Sequence, residues 1–282
     1  MLDVLKRIIP SLQCLSCKGD LSFFNEDLKC AGCGQIYKNE NGAVIFHKEN
    51  IKDQSDSLVF KLKCFLKKYP RFFFFLYYTL GTFTGKSAKK SIKDVPIGSL
   101  ILNVASGINT IRSDVVNIDV YPFLGVHVTA DAQKLPFKDS SCDAIICEVS
   151  LEHIKDPVLA VQEMRRVLKG GGLIYITVPF IQGFHNSPSD YYRWTKEGVR
   201  ELFKNFEEKE LDVFGGPTYA LTSIFREWLA VIFSFNSEFV YQILSLIFMI
   251  ILAPLNFLDH IFSRYQPAKN IASSFYFIGT KK

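Results

Sequence analysis

Ala144-Ile-Ile-Cys147, Glu148, Asp156-Pro157, Gly170-Gly-Gly172 and Leu173-Ile-Tyr-Ile-Thr-Val178 follow one another along the chain, and their reading decides the fold. Both apolar runs have the length of buried strands. Between them, Asp156 can accept the free amides of a first helical turn and Pro157 suits that turn's fixed φ. The glycine triplet offers a helix stop. Strand, helix and strand make a parallel crossover. Working outward, Leu100–Val104 reads as an earlier strand that opens into Ala105-Ser-Gly-Ile-Asn109. Val115–Ile118 reads as a second strand ending at Asp119, and Val126–Thr129 as a third ending at Asp131. Ala144–Cys147 is then the fourth and Leu173–Val178 the fifth. Strands alternating with helices imply an α/β fold around a parallel sheet, with ligands at the carboxyl ends of the strands. Only about seven residues separate Gly107 from the second strand, where a parallel crossover needs a dozen or more. The first helix is therefore expected to be vestigial.

The balance of 48% hydrophobic and 22% charged residues over 282 excludes wholesale disorder. Phenylalanine is unusually common at 26, and mean hydropathy is high at +0.14. A net charge of +5 admits an anionic membrane or a nucleic acid as partner. The opening apolar run, through Ile9, is too short for a secretory signal, so the cysteines are expected in a reducing compartment without a disulfide framework.

Four of them stand as Cys14-Leu-Ser-Cys17 and Cys30-Ala-Gly-Cys33. Each pair can present two thiolates from one knuckle, and four sulfurs complete a closed tetrahedral zinc shell. A closed shell leaves no open position, so the zinc is expected to be structural. Gly32 and Gly34 suit the left-handed backbone of a knuckle. With short strands at Asp20–Phe24, Gln35–Lys38 and Ala43–His47, residues 1–50 read as a zinc ribbon. Cys64, Cys142 and Cys147 read as core or linker thiols.

Residues 51–97 read as a basic and aromatic helical linker. Leu58–Lys68 has apolar residues at helical spacing, and the aromatic run Arg71–Tyr78 is followed by Lys86, Lys89, Lys90 and Lys93. Such a segment suits an anionic bilayer surface, or a helix buried between domains. A second apolar region lies within 220–265. Trp228–Ser237 is uncharged, Glu238 interrupts, and Phe239–Leu258 runs uncharged to Asp259. A single crossing would strand the last strand on the far side of the bilayer. The expectation is a hairpin bent near Asn236, or helices in one leaflet, with Pro254 as a kink or stop. A helical subdomain packed on protein is the other reading.

Asp131-Ala-Gln-Lys-Leu-Pro-Phe137, Cys142-Asp-Ala-Ile-Ile146, Leu151-Glu-His153 and Glu163-Met-Arg-Arg-Val-Leu-Lys-Gly-Gly-Gly172 occur in that order. This run resembles the class I S-adenosylmethionine-dependent methyltransferases of the type-11 group, over roughly Leu100–Phe206. The resemblance implies a Rossmann-like seven-stranded sheet over 98–282 whose last strand is antiparallel, and Ser274–Thr280 would supply it. It also implies S-adenosylmethionine as cofactor. Ala105, Ser106 and Gly107 would let backbone approach its tail and ribose, Asp119 would accept the ribose hydroxyls, and Asp131 with Ala132 would meet the adenine. Leu135 and Phe137 would border the ring, and Glu148 is counted with the cofactor residues. The family's acidic-x-Gly-x-Gly-x-Gly places hold Asn103, Ala105, Gly107 and Asn109 here. Asn103 can hydrogen-bond but cannot pair with an ammonium.

After the fifth strand, Gly183-Phe-His-Asn-Ser-Pro-Ser-Asp-Tyr-Tyr-Arg-Trp-Thr195 would lie over the pocket mouth, with Thr195 capping a helix. Methyl transfer needs an aligned nucleophile and, for a hydroxyl, a proton acceptor. His185 is the first choice for base and Asp190 the second. Tyr191, Tyr192, Arg193 and Trp194 are the candidate acceptor contacts, and His153 reads as a packing or hydrogen-bonding residue. The expectation is a methyltransferase on the cytoplasmic face of the membrane, acting on a small-molecule, glycan or lipid-linked acceptor. A ribosomal-RNA methyltransferase with a zinc ribbon and a non-catalytic membrane scaffold are the alternatives. Nucleic acid is the less favoured partner because the positive charge clusters in the linker.

Overall fold

The computed structural model describes residues 2–47, 69, 79–185 and 189–282. The linker readings on Leu58–Lys68 and Arg71–Tyr78, and Cys64, lie outside the described residues. A short helix α1 (Leu2–Ile8) leads into β1 (Leu21–Phe24), β2 (Asp27–Cys30) and β3 (Ile36–Tyr37), which pair as one small antiparallel sheet. β4 (Asn39–Glu40) and β5 (Ala43–Ile45) leave that sheet and join the large one. After α2 (Ala88–Ser91) come β6 (Ile101–Val104), β7 (Val116–Asp119), β8 (Val128–Thr129) and β9 (Cys142–Glu148). Helix α3 (Pro157–Val167) precedes β10 (Leu168–Pro179), and α4 (Lys196–Leu202) precedes β11 (Phe206–Gly215). Helices α5 (Pro217–Phe233), α6 (Glu238–Leu252) and α7 (Asp259–Phe262) stand before β12 (Ser274–Lys281).

Among the described residues the large sheet has nine strands in the order β11–β12–β10–β9–β6–β7–β8–β5–β4. β8, β7, β6, β9 and β10 are parallel, and β12 is antiparallel to both β10 and β11. The expected seven-stranded sheet with its antiparallel last strand is therefore present from β8 to β11. Two strands from the cysteine-bearing segment extend it, because β5 pairs in parallel with β8. The attachment is apolar as well as hydrogen-bonded. Leu12, Cys14, Leu28, Cys30 and Tyr37 belong to the same core cluster as Ile118, Ile145 and Ile176.

Asp156 caps α3 by accepting the Leu159 amide at 3.0 Å, and Pro157 occupies its first turn. The glycine triplet does not stop this helix. Val167 is its last residue, and Leu168 already pairs with Cys142. The glycines form a bulge between Leu168 and Leu173, where Gly171 takes φ +73°. Between β6 and β7 there are only turns, as the short spacing requires. The sheet's order reverses at β6, which has β7 on one side and β9 on the other. A crevice is expected outside the carboxyl ends of the strands at such a switch point.

Helices α5 and α6 pack together across a turn in which Phe235 and Asn236 have φ of +47° and +64°. The bend falls near Asn236, as the sequence suggests, and α6 stops at Leu252 just before Pro254. The pair is tied to the body by polar groups. Asp259, fully buried, accepts the Thr218 and Tyr219 amides at 2.8 Å each. Buried Asn256 accepts from Thr222 at 2.7 Å and donates to the Leu80 carbonyl at 2.6 Å.

Candidate functional site

A cleft of about 760 Å³ opens at the carboxyl ends of β6, β7 and β9. That volume lies within the range of small-molecule and cofactor sites. All eight residues read as cofactor contacts line it: Asn103, Ala105, Ser106, Gly107, Asp119, Asp131, Ala132 and Glu148.

The turn after β6 is shaped by its neighbours. Asp119 Oδ2 accepts the Gly107 amide at 2.8 Å, while its Oδ1 accepts the Tyr121 amide at 3.1 Å. Ala105 and Gly107 both lie in the left-handed region, at φ +55° and +53°. Alanine there is strained, so this position keeps a glycine conformation without glycine's freedom. Asn103 donates from Nδ2 to the Asn117 side chain at 3.1 Å and to the Asn109 carbonyl at 3.2 Å. Its amide thus braces the turn.

Glu148 closes β9 inside the cleft. Burial pushes its carboxyl up to about 7, against the opposing effect of the Asn109 amide that it accepts at 3.1 Å. Val149, next in the chain, has φ +47°, an uncommon conformation for a β-branched residue.

Of the two candidate bases, His185 lines the cleft and Asp190 does not. Asp190 accepts the Arg193 guanidinium at 2.7 Å and the His185 amide at 2.7 Å. Burial would raise the Asp190 carboxyl, but those donors outweigh it and hold it below its ordinary range. Tyr191 also lines the cleft, whereas Tyr192, Arg193 and Trp194 do not. Tyr192 donates to the Lys155 carbonyl at 2.9 Å, Arg193 donates to the Gly183 carbonyl at 2.7 Å, and Trp194 is packed into the core. Leu135 and Phe137 likewise belong to the core. The sequence reading placed them by order along the chain, which cannot tell an inward side chain from one facing the ligand.

Several lining residues were not legible in that reading. Phe83, Phe214, Tyr219, Ser223, Arg226 and Glu227 form a wall contributed largely by α5. His153 lines the cleft beside His185, with ring centroids 5.1 Å apart. Burial lowers the His153 imidazole below its ordinary value.

The four ribbon sulfurs converge outside the cleft. Cys14 and Cys33 Sγ are 3.6 Å apart, Cys17 and Cys30 Sγ are 3.3 Å apart, and all four lie within 4.8 Å of one another. Four sulfurs at ~2.3 Å from one zinc would be separated by about 3.8 Å, so the donor set fits that ion. A Cβ on Gly19 would stand 3.1 Å from Cys30 Sγ and 3.2 Å from Cys17 Sγ, which leaves room there only for glycine without adjustment. Gly34 has the expected left-handed φ of +74°, but Gly32 does not, and Lys18 at +59° makes the other knuckle turn.

Residues 108–176 match the family model described as a methyltransferase domain. Demethylmenaquinone methyltransferases of Staphylococcus aureus strains are 31% identical over 85 residues, 29% of this chain and 35% of theirs. The chain spans about a third of the length of these curated relatives. Among solved structures, Haemonchus contortus phosphoethanolamine N-methyltransferase 2 in complex with S-adenosyl-L-methionine is 20% identical, covering 67% of this chain and 50% of that one at TM-score 0.43. A SAM-dependent methyltransferase from Thermotoga maritima is 17% identical, covering 78% and 98% at TM-score 0.44. The strand order is that of a Rossmann-like methyltransferase sheet, and the segment matched by the methyltransferase-domain model, residues 108–176, lies within it.

Proposed function

We propose that this protein is a membrane-attached S-adenosylmethionine-dependent methyltransferase whose acceptor is a lipid-linked intermediate, such as a lipid-linked glycan. In this reading residues 1–50 are the zinc ribbon, 51–97 the linker, and 98–282 the methyltransferase domain with its apolar insertion over 220–265. The observation that carries it is the double use of α5. Tyr219, Ser223, Arg226 and Glu227 on this helix line the cleft. Leu221, Trp228, Val231 and Phe233 on the same helix are half or more exposed. A helix of this kind can rest on a bilayer and guide an apolar tail toward the reaction centre. Helix α6 adds Phe239, Ile250 and Ile251 to that surface, and Phe235 at the hairpin tip is 88% exposed.

The insertion is read as monotopic. The run Glu238–Phe262 is long and apolar enough to cross a membrane, with mean hydropathy 2.0. Its α-helical part ends at Leu252 after 15 residues, about 22 Å at ~1.5 Å per residue, and the helical turns that continue it to Phe262 are held on the protein by Asn256 and Asp259. Helices of this length, returning through a tight turn, suit one leaflet on the cytoplasmic side.

When bound, the cofactor supplies an electrophilic methyl group. Asn103 and the turn Ala105–Gly107 hold its tail, Asp119 takes the ribose hydroxyls, Asp131 and Ala132 meet the adenine, and Glu148 closes the floor of the site. His185 faces the acceptor and handles its proton, with Tyr191 beside it. Asp190, Tyr192, Arg193 and Trp194 serve by fixing the loop that carries both. Calorimetry in mild detergent tests the reading, with saturable S-adenosylmethionine binding expected. Absence of binding at millimolar cofactor would overturn it in favour of a non-catalytic scaffold. Demethylmenaquinone, named for the Staphylococcus aureus relatives, belongs among the acceptors assayed.

A further inference from the structure

The geometry points to a second metal site, a divalent transition ion held by Glu152, His153 and His185 at the edge of the cleft. Glu152 is fully buried, and neither of its carboxylate oxygens has a hydrogen-bond partner. Burying a carboxylate without donors costs several kcal/mol in general, so native structures pair such groups or give them to a cation. The two groups nearest to it are imidazoles. His185 Nε2 lies 3.7 Å and His153 Nε2 3.9 Å from Glu152 Oε1. These separations are too long for hydrogen bonds, and all three ligand atoms lie within 4.8 Å of one another, so shifts of a few tenths of an ångström would let them share one ion.

The far sides of both rings are already engaged. His153 Nδ1 meets the Ser189 carbonyl, and His185 Nδ1 lies 3.2 Å from the Gly183 carbonyl. His185 Nδ1 is also 3.2 Å from the Arg193 guanidinium, whose NH2 group already donates to the Gly183 carbonyl and to Asp190 at 2.7 Å each; with a proton on each Nδ1 directed to its carbonyl, each Nε2 would present a lone pair toward Glu152. Metal-binding histidines are oriented in this way by their outer partners. Glu152 and His153 come from one turn after β9, and His185 from the loop after β10. The site is thus assembled by the sheet itself.

Two imidazoles and one carboxylate form a donor set suited to zinc, iron(II), cobalt(II) or manganese(II), with open positions for water or substrate. His153 and His185 line the cleft, so those positions face the acceptor side. An acceptor hydroxyl bound there would lose its proton more readily, as metal-bound water does, and with its Nε2 on the ion His185 would act on that proton through the metal and not as a free base. This last step rests on the methyltransferase reading; the binding of the ion does not.

The test uses the full chain with its ribbon already loaded with one equivalent of zinc. Zinc(II), cobalt(II) and manganese(II) are titrated separately by calorimetry, without cofactor or acceptor. Wild type is expected to take one further equivalent of at least one ion. Cobalt in this site should show weak visible bands without the sulfur-to-cobalt charge transfer of a thiolate site. Glu152→Gln should weaken binding by about 100-fold or more, given that even outer-shell partners are worth 10- to 100-fold. His185→Ala, whose side chain is 36% exposed, should do the same without disturbing the core. Failure of wild type to take a second equivalent of any of the three ions would overturn the site. Unchanged stoichiometry and affinity in His185→Ala would overturn it equally. A chain that binds cofactor but no second ion would refute only this inference; one that binds the ion but no cofactor would refute only the proposed function.

Discussion

The Asp119 carboxylate accepts the Gly107 amide at 2.8 Å, joining the end of β7 to the turn after β6. One side chain thus both positions the turn and faces the cleft. Asp119→Ala should weaken S-adenosylmethionine binding by about 1–3 kcal/mol, the range for hydrogen bonds to a charged group. Calorimetry on the variant checks this, and wild-type affinity would remove Asp119 from the site.

Ala105 has the backbone of a glycine, at φ +55°. Ala105→Gly should relieve left-handed strain and raise stability by about 1 kcal/mol. Urea unfolding measures the gain, and a loss of stability would show that the alanine methyl contributes more by packing than it costs.

Glu148 ties stability to pH. Its folded-state value is raised to about 7 from an ordinary 4.5, chiefly by burial, so between these values the folded chain holds a proton that the unfolded chain releases. Stability from this group is therefore fully present below pH 4.5 and is lost as pH rises through 7. The loss is at most about 3 kcal/mol. Glu148→Gln should flatten that part of the profile, so the difference between wild type and variant should shrink from pH 8 to pH 5 or change sign. Parallel profiles in urea would refute it.

Cys30 ties the ribbon to the large domain. It is a zinc-ligand candidate and also a member of the main core cluster. Cys30→Ser should lower zinc content from one equivalent per ribbon and lower the melting temperature of the whole protein, because metal affinity here is folding energy. A variant that loses zinc but melts as wild type does would mean that the ribbon folds apart from the sheet.

The exposed apolar surface of α5 and α6 should bind anionic vesicles and resist removal by salt. Trp228→Glu with Ile250→Glu should cut co-sedimentation by about tenfold or more, since burying charge in lipid costs several kcal/mol. Both side chains are more than half exposed, so folding should be unaffected. Wild type that stays in the supernatant with vesicles would leave this surface to a protein partner.

Asp259 illustrates how far a sequence can be read. In the sequence it marks only the end of an apolar run; in the structure it is a buried acceptor for the first amides of α5, a helix about 40 residues earlier in the chain. Residues 131–172 behave differently. Their caps and apolar periods act within a few residues, so the strands, the helix and its Asp156 cap were legible, although the glycine triplet forms a bulge and not the helix stop.

The sequence by itself determined the alternation of strands and helices, the vestigial first crossover and the pairing of four cysteines into one knuckle set, while the antiparallel last strand was implied by the family resemblance. These depend on local periodicity, chain length and the short reach of neighbouring side chains. Only the tertiary structure decided that β5 would pair with β8, that Leu135 and Phe137 would turn into the core, and that Arg193 would hold Asp190 out of the cleft. It alone brought Glu152 and His153 to His185. Such contacts join segments far apart in the chain, and their energies depend on which face of each element is buried, which no local pattern records.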